Sequence, residues 1–243
     1  DYTGYSIAPG LVDTHIHGFG GVDVMDNNIE GTLHTMSDGL LTTGVTSFLP
    51  TTLTSSYELL LAVTENIGAH YQEATGAKIR GLYFEGPYFT EKYKGAQNPS
   101  YMKDPRMDEF RAWQKASNGL LNKIALAPER NGVEEFVRTI TDEGVTVALG
   151  HSDATFDQAK AAVEAGASVW VHAYNGMRGL THRELGMVGA MYELPHTYAE
   201  LICDGHHVDP KACDILIKQK GHENIALITD CMTAGGLEDG DYM

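Results

Sequence analysis

Cysteines, basic residues and long apolar runs are all scarce in this 243-residue chain, and each shortage argues against a class of function. Only three cysteines are present, Cys203, Cys213 and Cys231, an odd number with no CxxC pair. That pattern speaks against a disulfide framework and for a reducing compartment, read here as the cytoplasm. No stretch reaches the roughly 18 consecutive apolar residues of a membrane span, and no basic segment leads into an apolar one at the N-terminus. Lys and Arg number 17 against 33 Asp and Glu, a formal charge of −16. Such a field repels phosphate backbones and anionic bilayers, which argues against nucleic acid and membrane as partners. A small anion held by local cations is still allowed. There is no P-loop and no GxGxxG in a strand-to-helix setting, so no nucleotide cofactor is suggested.

What the chain does have is 42% hydrophobic residues, sufficient for a sizeable core in one α/β barrel or two smaller domains. Short β-rich runs alternate with longer amphipathic ones. Strands are expected near 10–15, 45–49, 79–85, 123–127, 145–150, 168–172, 198–203 and 225–229. Helices are expected near 29–42, 55–74, 106–117, 132–143, 155–165 and 209–219, with a more irregular link after the sixth strand. Eight strands with intervening helices predict a TIM-like (β/α)8 barrel whose active-site groups sit at the carboxyl ends of strands. A doubly wound open sheet is the rival, but it gathers its chemistry at one switch point, whereas candidate residues here end five different strands. The chain is read as a single catalytic domain over 1–243. It opens on Asp1 and stops at Met243 after a glycine-rich stretch, so both ends look cut, and the eighth helix is missing.

The candidates follow from strand geometry. His15 and His17 are two apart, so in a strand both imidazoles face the same way and can reach one metal. Glu85 ends an apolar run and precedes Gly86-Pro87, which leaves its carboxylate at a strand tip. His151 and His172 repeat that placement on two further strands, and Asp230 does so on the last. Taken singly, each has an ordinary structural explanation: hydrogen-bonded histidines, a solvated glutamate, or an aspartate capping a helix. Together they suggest a metal-dependent hydrolase in which Asp230 moves the proton. Asn175 and Gly176, with Arg183 downstream, could form an anion pocket, although Arg183 could equally make a surface salt bridge. His206 and His207 could hydrogen-bond a substrate, at least one of them being a packing or surface residue. The remaining histidines, 34, 70, 182, 196 and 222, are read as structural.

Six ordered segments carry a resemblance. They are Ala8-Pro-Gly-Leu-Val-Asp-Thr-His-Ile-His, Gly81-Leu-Tyr-Phe-Glu-Gly-Pro, Leu149-Gly-His-Ser-Asp-Ala, His172-Ala-Tyr-Asn-Gly-Met, Asp204-Gly-His-His-Val-Asp and Ile228-Thr-Asp. On these the chain resembles the amidohydrolase superfamily and, within it, the N-acetylglucosamine-6-phosphate deacetylase family. The resemblance implies hydrolysis of the acetamide of a phosphorylated amino sugar, with Glu85, His151 and His172 holding a divalent metal, zinc or iron, and Asp230 as acid and base. It allows a second metal at His15 and His17, bridged by Glu85. Superfamily members with two metals often bridge them through a carboxylated lysine, but 123–128 has no lysine at the strand end. By the same resemblance Asn175, Gly176, Arg183 and His207 contact the sugar phosphate, Arg183 reaching across a homodimer interface. Gln97 stands near where some relatives place a histidine, and its amide could donate to the substrate. The family's accessory β-sandwich would be represented only by a remnant in residues 1–8, and a barrel lacking its last helix is expected to expose apolar surface. Other amidohydrolases, such as N-acyl amino acid deacylases or cyclic amidases, and an inactive metal-stabilised fragment remain as alternatives.

Overall fold

A computed structural model describes residues 3–26 and 29–242. Eight parallel strands run in chain order around a barrel: β1 (Leu11–Ile16), β2 (Val45–Thr52), β3 (Leu82–Tyr88), β4 (Leu121–Leu126), β5 (Thr146–Leu149), β6 (Val169–Trp170), β7 (Tyr198–Leu201) and β8 (Ile225–Leu227). A short strand, Lys78–Ile79, adds to β2, and a two-stranded hairpin, Gly18–Phe19 with Val22–Asp23, follows β1. Every neighbouring pair from β1 to β8 is hydrogen-bonded. The circle closes at its carboxyl end, where Ile16 bridges Cys231 and the Asp230 amide donates to the His15 carbonyl at 3.0 Å.

Among the described residues seven helices pack outside: α1 (Ile29–Leu41), α2 (Tyr57–His70), α3 (Met107–Ala116), α4 (Val133–Asp142), α5 (Phe156–Glu164), α6 (Gly186–Glu193) and α7 (Pro210–Lys220). Their boundaries follow local chemistry. Thr155 and Gln158 form a reciprocal capping box on α5. Asp209 caps α7 with Pro210 in its first turn, where the missing N–H costs nothing. In α4 the buried Val133, Phe136, Val137 and Ile140 recur at helical spacing and form one apolar stripe. The link after the sixth strand, expected to be irregular, contains α6 instead. Residues 186–191 of that helix are all buried, so it has no polar face and no amphipathic period to read. Among the described residues no helix follows β8, and none is long and apolar enough to cross a membrane.

Strand alternation divides the core in two. Outward residues such as Ile16, Phe84 and Leu201 join the large cluster beneath the helices. Inward residues, among them Leu49, Tyr83, Ala125, Ala148 and Val171, fill the barrel itself. The segment 1–8 begins outside the described residues, and Thr3–Ala8 contain no strand. Tyr5, Ile7, Leu11, Val12 and Leu227 leave apolar surface exposed around the β1 and β8 edges.

Candidate metal centre

Five strands deliver the charged groups to one end of the barrel. His15 lies within β1 and His17 just past it; Glu85 lies in β3; His151, His172 and Asp230 follow β5, β6 and β8. In β3 the pairing with β4 slips between Glu85 and Tyr88, where Gly86 and Pro87 interrupt the ladder. Gly86 has φ +91°, and a Cβ there would lie 2.2 Å from Oγ1 of Thr54, so only glycine fits this turn. His151, His172 and Asp230 themselves adopt left-handed φ angles of 45°, 27° and 51°. Backbone strain of about 1–3 kcal/mol at such positions persists where surrounding structure enforces it, and functional sites are where it concentrates.

The groups form two sets of three, His15, His17 and Asp230 in one and Glu85, His151 and His172 in the other, the ligand atoms within each lying no more than 4.8 Å apart. In the second set Oε1 of Glu85 is 3.0 Å from Nε2 of His151 and 3.1 Å from Nε2 of His172, and the two Nε2 atoms are 3.1 Å apart. In the first, Nε2 of His17 is 3.3 Å from Nε2 of His15 and 3.2 Å from Oδ1 of Asp230. Glu85 spans both, its Oε2 standing 3.2 Å from Nε2 of His17.

The far side of each ring shows why this donor set fits a cation. Nδ1 of His17, His151 and His172 donates to the carbonyls of Thr51, Tyr93 and Asn175 at 3.0, 2.8 and 3.0 Å. Nδ1 of His15 donates to Oε2 of Glu200 at 3.0 Å. Each partner accepts only, so each ring carries its proton on Nδ1 and directs an Nε2 lone pair inward. Four lone pairs and two carboxylates then face one buried space, an arrangement that calls for positive charge. Protons alone would have to supply it as follows. Burial opposes protonation of His15, but the Glu200 and Glu85 carboxylates outweigh it and push its pKa up to about 10. Burial likewise opposes it at His17, yet hydrogen bonds to Asp230 and Glu85 bring it to about 9. Against the same burial, the histidines hold Glu85 well below the usual carboxylate range and Asp230 at about 2.

A cavity of about 500 Å³ opens over this cluster, lined also by Gln97, Asn175, Gly176, His207, Asp23, Ile202 and Met232. Gln97 is buried and committed: its amide donates to Oε2 of Glu85 and its oxygen accepts from the Thr54 amide at 2.7 Å. It therefore braces the central carboxylate from the cavity wall. His207 is oriented by Asp204, whose Oδ2 accepts from Nδ1 at 2.7 Å. Arg183 is exposed and is not among the residues lining the cavity, so the structure does not bring it to the other predicted phosphate contacts.

Several supporting residues escaped the sequence reading. Asp13 accepts from the His15 amide at 3.1 Å and from the Thr229 hydroxyl, tying β1 to the segment that carries Asp230. Glu200 and Lys123, buried inside the barrel below His15, form an ion pair. An inward position on a strand was the only available signal for these, and a charged residue at such a position ordinarily reads as solvent-facing.

A barrel with two candidate ligand sets at its carboxyl rim is what the fold and site define, and residues 6–237 match the Amidohydrolase family, to which the chain belongs. It is 45% identical over 237 residues to an N-acetylglucosamine-6-phosphate deacetylase from Vibrio furnissii, covering 97% of this chain and 59% of that protein. It is 42% identical to an N-acetylgalactosamine-6-phosphate deacetylase from Escherichia coli, covering 97% and 62%. Among solved structures, an N-acetyl-D-glucosamine-6-phosphate deacetylase variant from Mycobacterium smegmatis, in complex with N-acetyl-D-glucosamine-6-phosphate, superposes with a TM-score of 0.88 at 33% identity. That match covers 97% of this chain and 61% of that one. The chain thus spans about three-fifths of the length of these relatives.

Proposed function

We propose that this chain is the catalytic barrel of a deacetylase acting on N-acetylglucosamine 6-phosphate, releasing acetate and glucosamine 6-phosphate in amino-sugar catabolism in the cytoplasm. The observation that carries the proposal is the pair of three-ligand sets sharing Glu85, with Asp230 at their edge. Glu85, His151 and His172 would hold one divalent ion, zinc or iron, and His15 and His17 with Asp230 a second. When bound, such an ion supplies Lewis acidity, polarising the acyl oxygen and making water acidic near neutral pH.

The chain's own groups do the rest. Asp230 is held ionised, so it can accept a proton from the attacking water. It then returns that proton to the sugar nitrogen as the C–N bond breaks, and the amine leaves neutral. Gln97 keeps Glu85 from swinging into the cavity. Asn175, Gly176 and His207, on the cavity wall, would meet the sugar phosphate. Arg183, exposed on its own subunit, would complete that contact from a second copy in a homodimer.

The 42% identity to an N-acetylgalactosamine-6-phosphate deacetylase supports a second reading in which the C4 epimer is the substrate. Acetate release from the two phosphorylated sugars and from unphosphorylated N-acetylglucosamine separates the possibilities. Release that depends on phosphate supports the deacetylase reading, and the preferred epimer chooses within it. Equal release without phosphate would return the chain to the N-acyl amino acid deacylases and cyclic amidases, and no release would favour an inactive fragment.

A further inference from the structure

Three of the four histidine rings in the centre lean on backbone carbonyls, whereas His15 alone leans on a carboxylate. Oε2 of Glu200 accepts from Nδ1 of His15 at 3.0 Å, and the same oxygen is 3.3 Å from the His172 amide. Its other oxygen meets Nζ of Lys123, which also donates to the Thr14 carbonyl at 3.2 Å and lies 3.9 Å from the centre of the Tyr83 ring. Both charged residues are almost fully buried, with 1% and 5% of their surface exposed. A buried ion pair seldom stabilises a fold more than apolar residues of the same size would, so packing alone gives no reason for one here.

Resting on the reading of the two ligand sets as ion sites, we propose that Glu200, neutralised by Lys123, is the positioning residue for His15, and that it serves the His15/His17/Asp230 site specifically. A carboxylate on Nδ1–H fixes the tautomer and the ring plane and makes Nε2 a stronger donor than a carbonyl would. That Nε2 points at its fellow ligands, 3.3 Å from His17 and 3.4 Å from Asp230. Lys123 compensates the carboxylate's charge so that it can stay ionised away from water. The Glu85/His151/His172 site has carbonyl-held rings and draws on Glu200 only through one long contact to the His172 backbone.

Replacing Glu200 alone would strand Lys123 as a lone buried cation, so the test uses paired variants in the whole chain. Lys123→Met/Glu200→Leu removes both charges together and so leaves neither as a lone buried charge, and a cooperative thermal transition of the metal-free protein checks that the variant folds. Cobalt(II), whose visible absorption reports each site as it fills, is titrated into chelator-stripped protein. The wild type should take up two ions. The paired variant should bind one with unchanged affinity and the other about 10- to 100-fold more weakly, the usual effect of losing an outer-shell partner. Lys123→Met/Glu200→Gln, whose amide oxygen can still accept from Nδ1–H, should recover part of that loss. Two ions bound as tightly as in the wild type would overturn the proposal, and so would equal weakening of both sites, the mark of a purely structural role. A wild type that binds a single ion overturns it while leaving the Glu85 site standing. A wild type that binds none overturns the reading of the centre itself.

Discussion

The two halves of the centre are anchored differently. Glu85, His151 and His172 rise from β3, β5 and β6, within the unbroken run of parallel pairing. His15, His17 and Asp230 face one another across the β1–β8 junction, where no ladder joins the strands among the described residues. That junction depends on a single bridge, a few backbone hydrogen bonds and the Asp13–Thr229 clamp. One ligand set is therefore built into the sheet, while the other is joined by isolated backbone hydrogen bonds and one side-chain clamp. Such a junction can be loosened without unfolding the barrel, so this half should be the more sensitive to substitution.

The largest effect is expected from Asp230→Asn. Removing a general acid and base typically costs about 10²- to 10⁴-fold in turnover. Metal content at Glu85, His151 and His172, measured by elemental analysis, should persist, and near wild-type turnover would remove Asp230 from the mechanism. Next, Arg183→Ala should raise KM for phosphorylated substrate by roughly 10- to 100-fold, the range expected when a charged hydrogen bond is lost, and change kcat far less. Steady-state kinetics with and without the 6-phosphate would show this, and an unchanged KM would place phosphate recognition elsewhere. Asp13→Asn should destabilise by about 1–3 kcal/mol, the cost of disturbing a buried hydrogen-bonded group. Cobalt(II) affinity should fall at the His15/His17 site and hold at the other, and equal losses would erase the contrast between the halves.

The last contrast is a pH dependence of the metal-free protein. His15 and His17 titrate near 6.5 when unfolded and are raised to about 10 and 9 when folded. A raised pKa contributes stability that is complete below about 6.5 and is lost as pH climbs through the folded values. The melting temperature of chelated protein should fall steadily from pH 6.5 to 10. With ions in place of those protons, the loaded protein should lack that decline, and identical curves would mean that the ions do not occupy this cluster.

All eight barrel strands were legible in the sequence, as were six of the seven helices, because half-buried strands and amphipathic helices carry their periods in the chain itself. The shared placement of His15, His17, Glu85, His151, His172 and Asp230 was legible too: each stands at or near the end of a β-rich run, and strand geometry sends such residues to one rim of a barrel. Helix α6 was not, because burial on every side erases the period that reveals a helix. Nor was Gln97's partner, since only the folded loop brings it to Glu85.

Short-range spacing along the chain sets the order of strands, the rim they share and the types of residue that reach it. Which group stands behind each candidate ligand is settled only in the closed barrel. His15 and Glu200 are 185 positions apart, and Lys123 and Glu200 are 77 apart. No local pattern records such a meeting, and a charged residue on a strand reads as facing water until the closed barrel shows it facing another charge. Only the fold, likewise, keeps Arg183 away from the cavity of its own chain.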